Sequence, residues 1–153
     1  MSGVIYLHRI SDVRMSGMSV KNFRIFRKLC GEDTLKNVVI ATNRWEDVAL
    51  NVGEAREKEL MEKEDFFKPA IDKGAQIHRH YNTPGSATAI LGALIGNQPL
   101  PLLIQTEMIN EGKSLLATAA GGDLHHELQE EMRRYKEEMQ RMQGEIEGLC
   151  QTL

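Results

Sequence analysis

Two polar loops of the sequence carry the side chains best suited to binding a ligand. The first loop, residues 42–47, begins at the last residue of a continuous apolar run at 37–42. It offers amide, guanidinium, indole and carboxylate groups. Residues 81–87 follow a shorter and more polar run at 75–80. Ligands of open parallel sheets bind beyond the carboxyl ends of the strands. If the two runs are strands, a binding site is expected at these loops and at the loop 9–17.

The first loop resembles the guanine-recognition loop of P-loop GTPases, whose usual pattern is [N/T]KxD. Two alignments with that pattern compete. In the first alignment, Thr42 takes the Asn/Thr place and Trp45 replaces the Asp that would bind N1 and N2 of guanine. In the second alignment, Asn43 takes that place, Arg44 replaces Lys and Glu46 replaces Asp.

The second loop resembles the Ser-Ala loop of the same domains, whose backbone contacts the guanine oxygen. Residues 3–17 are also similar to fungal GTPase-like proteins related to septins and to immune-associated nucleotide-binding proteins. Thr and Trp are familiar in those proteins at the positions of Thr42 and Trp45, which favours the first alignment. The resemblance covers residues 3–97. The residues that it implies in nucleotide binding are Thr42, Asn43, Arg44, Trp45, Ser86 and Ala87.

The resemblance also limits the expected activity. In this family the phosphate loop, the switch threonine and the DxxG segment all precede the strand that corresponds to residues 3–8. The resemblance therefore implies a chain without the groups that hold the phosphates and Mg²⁺. We expect weak or vestigial binding of GTP or GDP, no metal site, and no hydrolysis by the chain alone.

The triplet Gly112-Lys113-Ser114 ends like a phosphate loop, GxxxxGK[ST], but does not complete the pattern. The first glycine would have to stand at position 107, where the chain has Glu107. The carboxylates of Glu107 and Glu111 would repel a phosphate, so the sequence argues against a phosphate site here. The five histidines show no recognised metal-ligand spacing, and no Ser, Cys or Lys lies in a nucleophile motif.

The elements that must position the loops follow from hydrophobic periodicity. Apolar runs at 3–8, 37–42 and 75–80 predict three strands. Helical spacing predicts an amphipathic helix over 20–30 that ends at Gly31 and a charged helix to about residue 64. The helical pattern continues towards Gly74, although Pro69 should kink or restart it, and a further helix over 87–95 is opened by Ser86. The alternation predicts an α/β fold, a partial doubly wound parallel sheet of about three strands with flanking helices.

A heptad pattern marks the end of the chain. Apolar residues recur at alternating separations of four and three, as in the seam of a coiled coil. They are Leu128, Met132, Tyr135, Met139, Met142, Ile146, Leu149 and Leu153. We therefore expect a long C-terminal coiled-coil helix that self-associates or binds a partner helix. The alternative is a single amphipathic helix that folds back on the domain.

Composition restricts the function classes further. The net charge of -3 argues against nucleic-acid binding, which needs clustered Lys and Arg. Cys30 and Cys150 stand far apart without metal-ligand spacing, which favours a reducing compartment. No apolar run is long enough to cross a bilayer. We expect a cytoplasmic protein without a membrane partner.

Three domains and three hypotheses follow. Residues 1–97 are expected to form the C-terminal half of a GTPase-like domain, residues 98–122 a helical connector and linker, and residues 123–153 the coiled coil. The first hypothesis is a truncated G-domain protein with family-inferred GTP binding. The second is a coiled-coil interaction or regulatory module with a remnant nucleotide-binding fold, and the third is a truncated gene model whose true start lies upstream.

Overall fold

The computed structural model describes residues 1–13 and 16–151, with side chains as far as Glu147. Its three strands are β1 (Val4–Arg9), β2 (Val38–Asn43) and β3 (Gln76–Arg79). They form one parallel sheet in the order β1-β2-β3, as the sequence predicts. The α/β class with three parallel strands and flanking helices is therefore confirmed. The strand order follows the chain order without a reversal in the described residues, so a doubly wound arrangement stays a prediction.

The composition of the central strand follows from its position in the sheet. β2 pairs with β1 on one side and with β3 on the other, so that Ile40 lies between Tyr6 and Ile77. Every residue of β2 before Asn43 is buried. A parallel strand covered on both faces needs a continuous apolar run rather than an alternating one, which is why residues 38–41 carry no polar side chain.

Capping residues set the bounds of the first helix. α1 (Gly17–Cys30) begins after Ser16, whose hydroxyl accepts a hydrogen bond from the backbone N–H of Ser19 at 3.1 Å. It ends at Gly31, as predicted, where φ is 81°. Only glycine adopts such a backbone easily, and a Cβ there would also lie 2.7 Å from the Cβ of Leu103.

The later helices follow the predicted pattern, with corrections to both ends of the last of them. α2 (Leu50–Glu62) and α3 (Lys68–Ile71) are separate helices, because Pro69 is accommodated in the first turn of the second. α4 (Pro84–Gly92) begins after Thr83, not at Ser86, and extends less far than predicted. Thr83 caps the helix by accepting from the N–H of Ser86 at 3.2 Å.

The connector contains the helical segment that the sequence predicts. α5 (Leu103–Gln105) continues into a π-helical turn, Thr106–Asn110. α6 (Ala119–Gln151) begins inside residues 98–122, the segment predicted as the helical connector and linker. Thr118 caps this helix by accepting from the N–H of Gly121 at 3.0 Å, which offsets the poor helix propensity of glycine.

The two faces of the sheet are covered unequally. On one face, α1, α2 and α3 pack over an aromatic cluster in which Phe67 contacts Phe23, Tyr6 and His8. On the other face, a smaller cluster joins residues of β2, of α4 and of the turn after α4: Val39, Ala41, Ile90 and Leu94. Within the described residues, no helix combines the length and the apolar character that crossing a membrane requires.

Candidate functional site

A polar cleft of about 380 Å³ opens at the carboxyl ends of the strands. The loops after β2 and β3 supply most of its walls, which is the position expected for a ligand site in a parallel sheet. Two residues with positive φ shape those loops, Arg44 at 61° and Asn82 at 56°. The cleft is lined by Leu7, Asn43, Arg44, Glu46, His80 and Asn82.

Thr42 and Trp45, the key residues of the first alignment, lie in the core rather than in this cleft. Thr42 is fully buried and Trp45 is 6% exposed. The indole Nε1 of Trp45 donates to the carbonyl oxygen of Thr42 at 3.2 Å and to its hydroxyl at 3.1 Å. These hydrogen bonds satisfy both side chains within the protein, so neither is available to a ligand.

An ion pair holds the indole in place. The guanidinium of Arg79 lies 4.3 Å from the centre of the Trp45 ring, and its Nε donates to both carboxylate oxygens of Glu57 at 3.0 Å. The hydrogen bond that Arg79 donates to Glu57 is the main reason that the pKa of Arg79 is raised. A Cβ at Gly53 of α2 would lie 2.8 Å from the ring. Trp45 thus packs closely against both Arg79 and α2.

The residues of the second alignment are the ones that face the cleft. Asn43, Arg44 and Glu46 all line it, and the side chain of Arg44 is exposed, as is that of Glu46. The Oδ1 atom of Asn43 is buried and has no hydrogen-bond partner. Arg44 lies 3.8 Å from Asp47, a distance that leaves the guanidinium free to reorient.

Ser86 and Ala87, the predicted second-loop residues, are occupied in the first turn of α4. The hydroxyl of Ser86 bonds to the N–H of Tyr81 at 3.1 Å and to Nδ1 of His80 at 2.9 Å. The N–H of Ser86 donates to Thr83, and so does that of Ala87. Ser86 orders the loop and does not line the cleft.

His80 and Asn82 line the cleft although the sequence argument did not select them. A signal for Asn82 was present, because asparagine tolerates the left-handed backbone of tight loops better than most residues. No such signal exists for His80. It lies just beyond β3, where its N–H donates to the carbonyl oxygen of Thr42 at 2.7 Å. Sheet pairing at that point directs it to the cleft.

A second cleft, of about 460 Å³, lies on the aromatic face beyond the end of β1. His8 lines it at the base, where burial lowers its pKa. Arg56 donates to the carbonyl oxygens of Ile10 and Ser11 at 3.0 Å and so fixes the loop after β1. Acidic and basic side chains line this cleft in equal number, namely Asp12, Glu59, Arg56 and Lys63, which favours no single ligand class. Within residues 1–13 and 16–151, no group of His, Cys, Asp or Glu is arranged to hold a metal ion.

The Gly112-Lys113-Ser114 triplet has a structural role in the connector. The amino group of Lys113 lies 3.1 Å from Glu107 and 2.8 Å from Glu111. The buried carboxylate of Glu107 also accepts from the N–H of Ala119 at 3.1 Å and 3.2 Å. Lys113 therefore neutralises a carboxylate that binds the first turn of α6, where the helix dipole favours negative charge.

Glu107→Gln is expected to lower the free energy of unfolding by about 1–3 kcal/mol, because a buried hydrogen-bonded charge is lost from the start of α6. Urea denaturation followed by circular dichroism measures the change. Glu111→Gln is the matched control, since Glu111 is exposed and bonds only to Lys113, and no measurable change is expected there. Equal losses in the two variants would contradict the role of Glu107.

The structure therefore belongs to the α/β class, with a polar cleft at the carboxyl edge of a three-stranded parallel sheet. Comparison of the chain with models of known protein families, with characterised proteins and with solved structures found no match.

Proposed function

We propose that the cleft at the carboxyl ends of the strands binds the base of a guanine nucleotide. The observation that carries the proposal is the lining of the cleft, because Asn43, Arg44 and Glu46 all lie at a ligand-binding position of the fold. Asn43, Arg44 and Glu46 together match the second alignment with the guanine-recognition loop.

The chemistry of the lining suits guanine better than other bases. The carboxylate of Glu46 can accept hydrogen bonds from N1–H and from the 2-amino group, and guanine presents both donors on one edge. The planar guanidinium of Arg44 can stack on the face of the base. Adenine has no N1 proton or 2-amino group at that edge, so it would leave the carboxylate of Glu46 unpaired.

Phosphates contribute little to this binding mode. Lys113 is held by two carboxylates in the connector, and no glycine loop faces the cleft in the described part of the chain. A triphosphate would therefore extend into solvent without a cradle of N–H groups or a metal ion. We propose weak binding without hydrolysis by the chain alone.

The test uses the fluorescence of Trp45, which is the only tryptophan of the chain and is flanked by Arg44 and Glu46. Titration with guanosine, GMP and GTP should give equal dissociation constants, with no effect of Mg²⁺, because only the base is held. Adenine nucleotides should bind at least roughly tenfold more weakly, since they cannot satisfy Glu46. Isothermal titration provides the independent measurement.

Glu46→Gln should weaken guanosine binding roughly tenfold by removing the charge on the acceptor. Asp47→Asn is the matched control, because Asp47 is the neighbouring exposed carboxylate and does not line the cleft. Micromolar affinity for GTP that depends on Mg²⁺ would contradict base-only recognition. The absence of binding by any guanine compound would contradict the proposal.

A second candidate function is self-association through α6. The observation that favours it is the exposed apolar seam of the helix, which lies beyond the part of α6 that packs on the domain. This arrangement supports an interaction module in which the α/β unit carries a helical tail. Sedimentation equilibrium of the full chain tests it, with a monomer at every concentration as the contradicting result.

A cytoplasmic location fits the state of Cys30. Cys30 is a buried free thiol, and burial raises its pKa to about 11. Such a thiol is protonated and unreactive at neutral pH, so it needs neither a disulfide partner nor an oxidising compartment. We propose the cytoplasm on this ground.

A further inference from the structure

The seam of α6 is uncovered along most of its length. Every side chain from Glu131 to Glu147 is exposed. Met132 is 71% exposed and Ile146 is 61% exposed, although both occupy apolar heptad positions. From Leu128 to Ile146 the stripe extends for about 27 Å along the helix. A continuous apolar stripe of this length marks an interaction surface.

The first turns of α6 are held on the domain by a different side of the helix. Asp123 pairs with Lys28 at 2.5 Å and with Arg24 at 3.6 Å, and Glu127 also pairs with Arg24. These contacts fix the direction in which the helix leaves the domain. They leave the seam itself available.

The seam begins in an apolar groove of about 200 Å³ at the base of the helix. Leu124 and Leu128 of α6 form one wall, and Ile25 and Leu29 of α1 form another. Leu116, which is 58% exposed, lies at the same groove. The uncovered surface therefore runs without interruption from the domain onto the helix.

The charged residues beside the seam indicate which partner helix the seam can bind. In heptad terms Met132, Met139 and Ile146 are a positions, and Leu128, Tyr135 and Met142 are d positions. The flanking g positions are then all acidic, and one e position is basic. The g residues are Glu131, Glu138 and Glu145, and the e residues are Gln129, Lys136 and Gln143.

Charged side chains on the outer face of the helix pair with one another. Arg133 pairs with Glu130 at 3.0 Å and with Glu137 at 2.8 Å. Glu131 and Lys136, in contrast, form no ion pair within the described structure. They are available for a second helix.

The two orientations of a helix pair differ in what these charges meet. In a parallel pair, each g residue faces the e residue five positions later in the other helix, so Glu131 meets Lys136 of the partner subunit twice by symmetry. In an antiparallel pair, g residues face g residues, and the three glutamates would oppose three glutamates. Like charges at such positions destabilise the pair, so the pattern favours the parallel orientation.

We propose that two copies of the chain associate through α6 as a parallel, in-register pair of helices, with Glu131 and Lys136 as the ion pair that sets the orientation. This inference rests on the self-association proposed above and adds its partner and geometry. The association is modest in strength, because the seam is short and rich in methionine, which specifies packing poorly.

Sedimentation equilibrium of the full chain is the first measurement. The wild-type chain should show a reversible monomer–dimer equilibrium, and Met139→Lys should abolish it by placing a charge in the seam. Gln140→Lys is the matched control, because its side chain lies on the outer face next to the seam residue and should leave the equilibrium unchanged. A wild-type monomer at all concentrations overturns both the self-association and the orientation.

Charge reversal then tests the orientation alone. In a parallel pair, Glu131→Lys should weaken the dimer roughly tenfold, because two attractive contacts become repulsive. The double variant Glu131→Lys/Lys136→Glu should restore it. In an antiparallel pair, Glu131→Lys would remove a repulsion and strengthen the dimer. That result would overturn the parallel geometry and leave the self-association standing.

Discussion

Phe67→Ala should unfold the α/β unit or bring it close to unfolding. Phe67 is fully buried, and its ring lies 4.7 Å from the ring of Phe23 and 5.2 Å from that of His8. Truncation of a buried phenylalanine costs about 3–5 kcal/mol, through lost burial and a cavity that the neighbours cannot fill. Small domains have a total stability of about 5–15 kcal/mol, so the loss takes much of it.

Urea denaturation followed by the fluorescence of Trp45 measures this effect, since Trp45 belongs to the same core. The matched control is Phe66→Ala. Phe66 is the same residue type one position earlier, but it is half-buried and lies 5.3 Å from the amino group of Lys63. Its truncation leaves no cavity and should cost less than half as much. Equal losses for the two phenylalanines would show that Phe67 does not form the centre of the core.

Gly121→Ala should disrupt the start of α6. A Cβ at this position would lie inside van der Waals contact with the carbonyl oxygen of Leu115 and 2.8 Å from its carbonyl carbon. Backbone atoms cannot rotate away as a side chain can. The turn Leu115–Ala117 must therefore move away from α6. We expect the free energy of unfolding to fall by about 3 kcal/mol, the upper end of what overpacking usually costs. The hydrogen bond from Gly121 to Thr118 would be lost with it.

Gly122→Ala is the adjacent control and should have the opposite sign. The nearest atom to a Cβ there is the carbonyl oxygen of Leu116 at 3.5 Å, an ordinary contact. Alanine at this helical position should stabilise the protein by about 0.5–1 kcal/mol. Hydrogen exchange of the amides in residues 115–128 reports both changes locally, faster for Gly121→Ala and slower for Gly122→Ala. Similar exchange in the two variants would contradict the close contact at Gly121.

The start of α4 shows how a local signal can be misread. The hydroxyl of Ser86 suggested a cap, yet the cap is Thr83, three residues earlier. Pro84 is the deciding residue, because its fixed φ and missing N–H suit the first position of a helix. The sequence contained this Thr-Pro signal. The start of α6 is different, because the contact between Glu107 and Ala119 joins residues 12 apart and has no local signature.

The candidate site depends on the tertiary structure more than the fold does. The two alignments of the loop differ by one residue, and both are compatible with the sequence. Thr42 and Trp45 turn to the core because Arg79 of β3 and Gly53 of α2 leave a slot for the indole. Asn43 and its neighbours then face the cleft. Gly53 lies eight residues after Trp45, but Arg79 lies 34 residues after it, in β3.

The sequence by itself determined the three strands, the stop of α1 at Gly31 and the heptad spacing of α6, because each depends on periodicity or on a single backbone preference. Only the tertiary structure decided which loop residues reach the cleft and where α6 begins. Those outcomes depend on contacts between different segments of the chain, such as the contact of Arg79 with Trp45 and that of Glu107 with Ala119. A pattern of neighbouring residues carries no information about such contacts until the sheet and helices are packed.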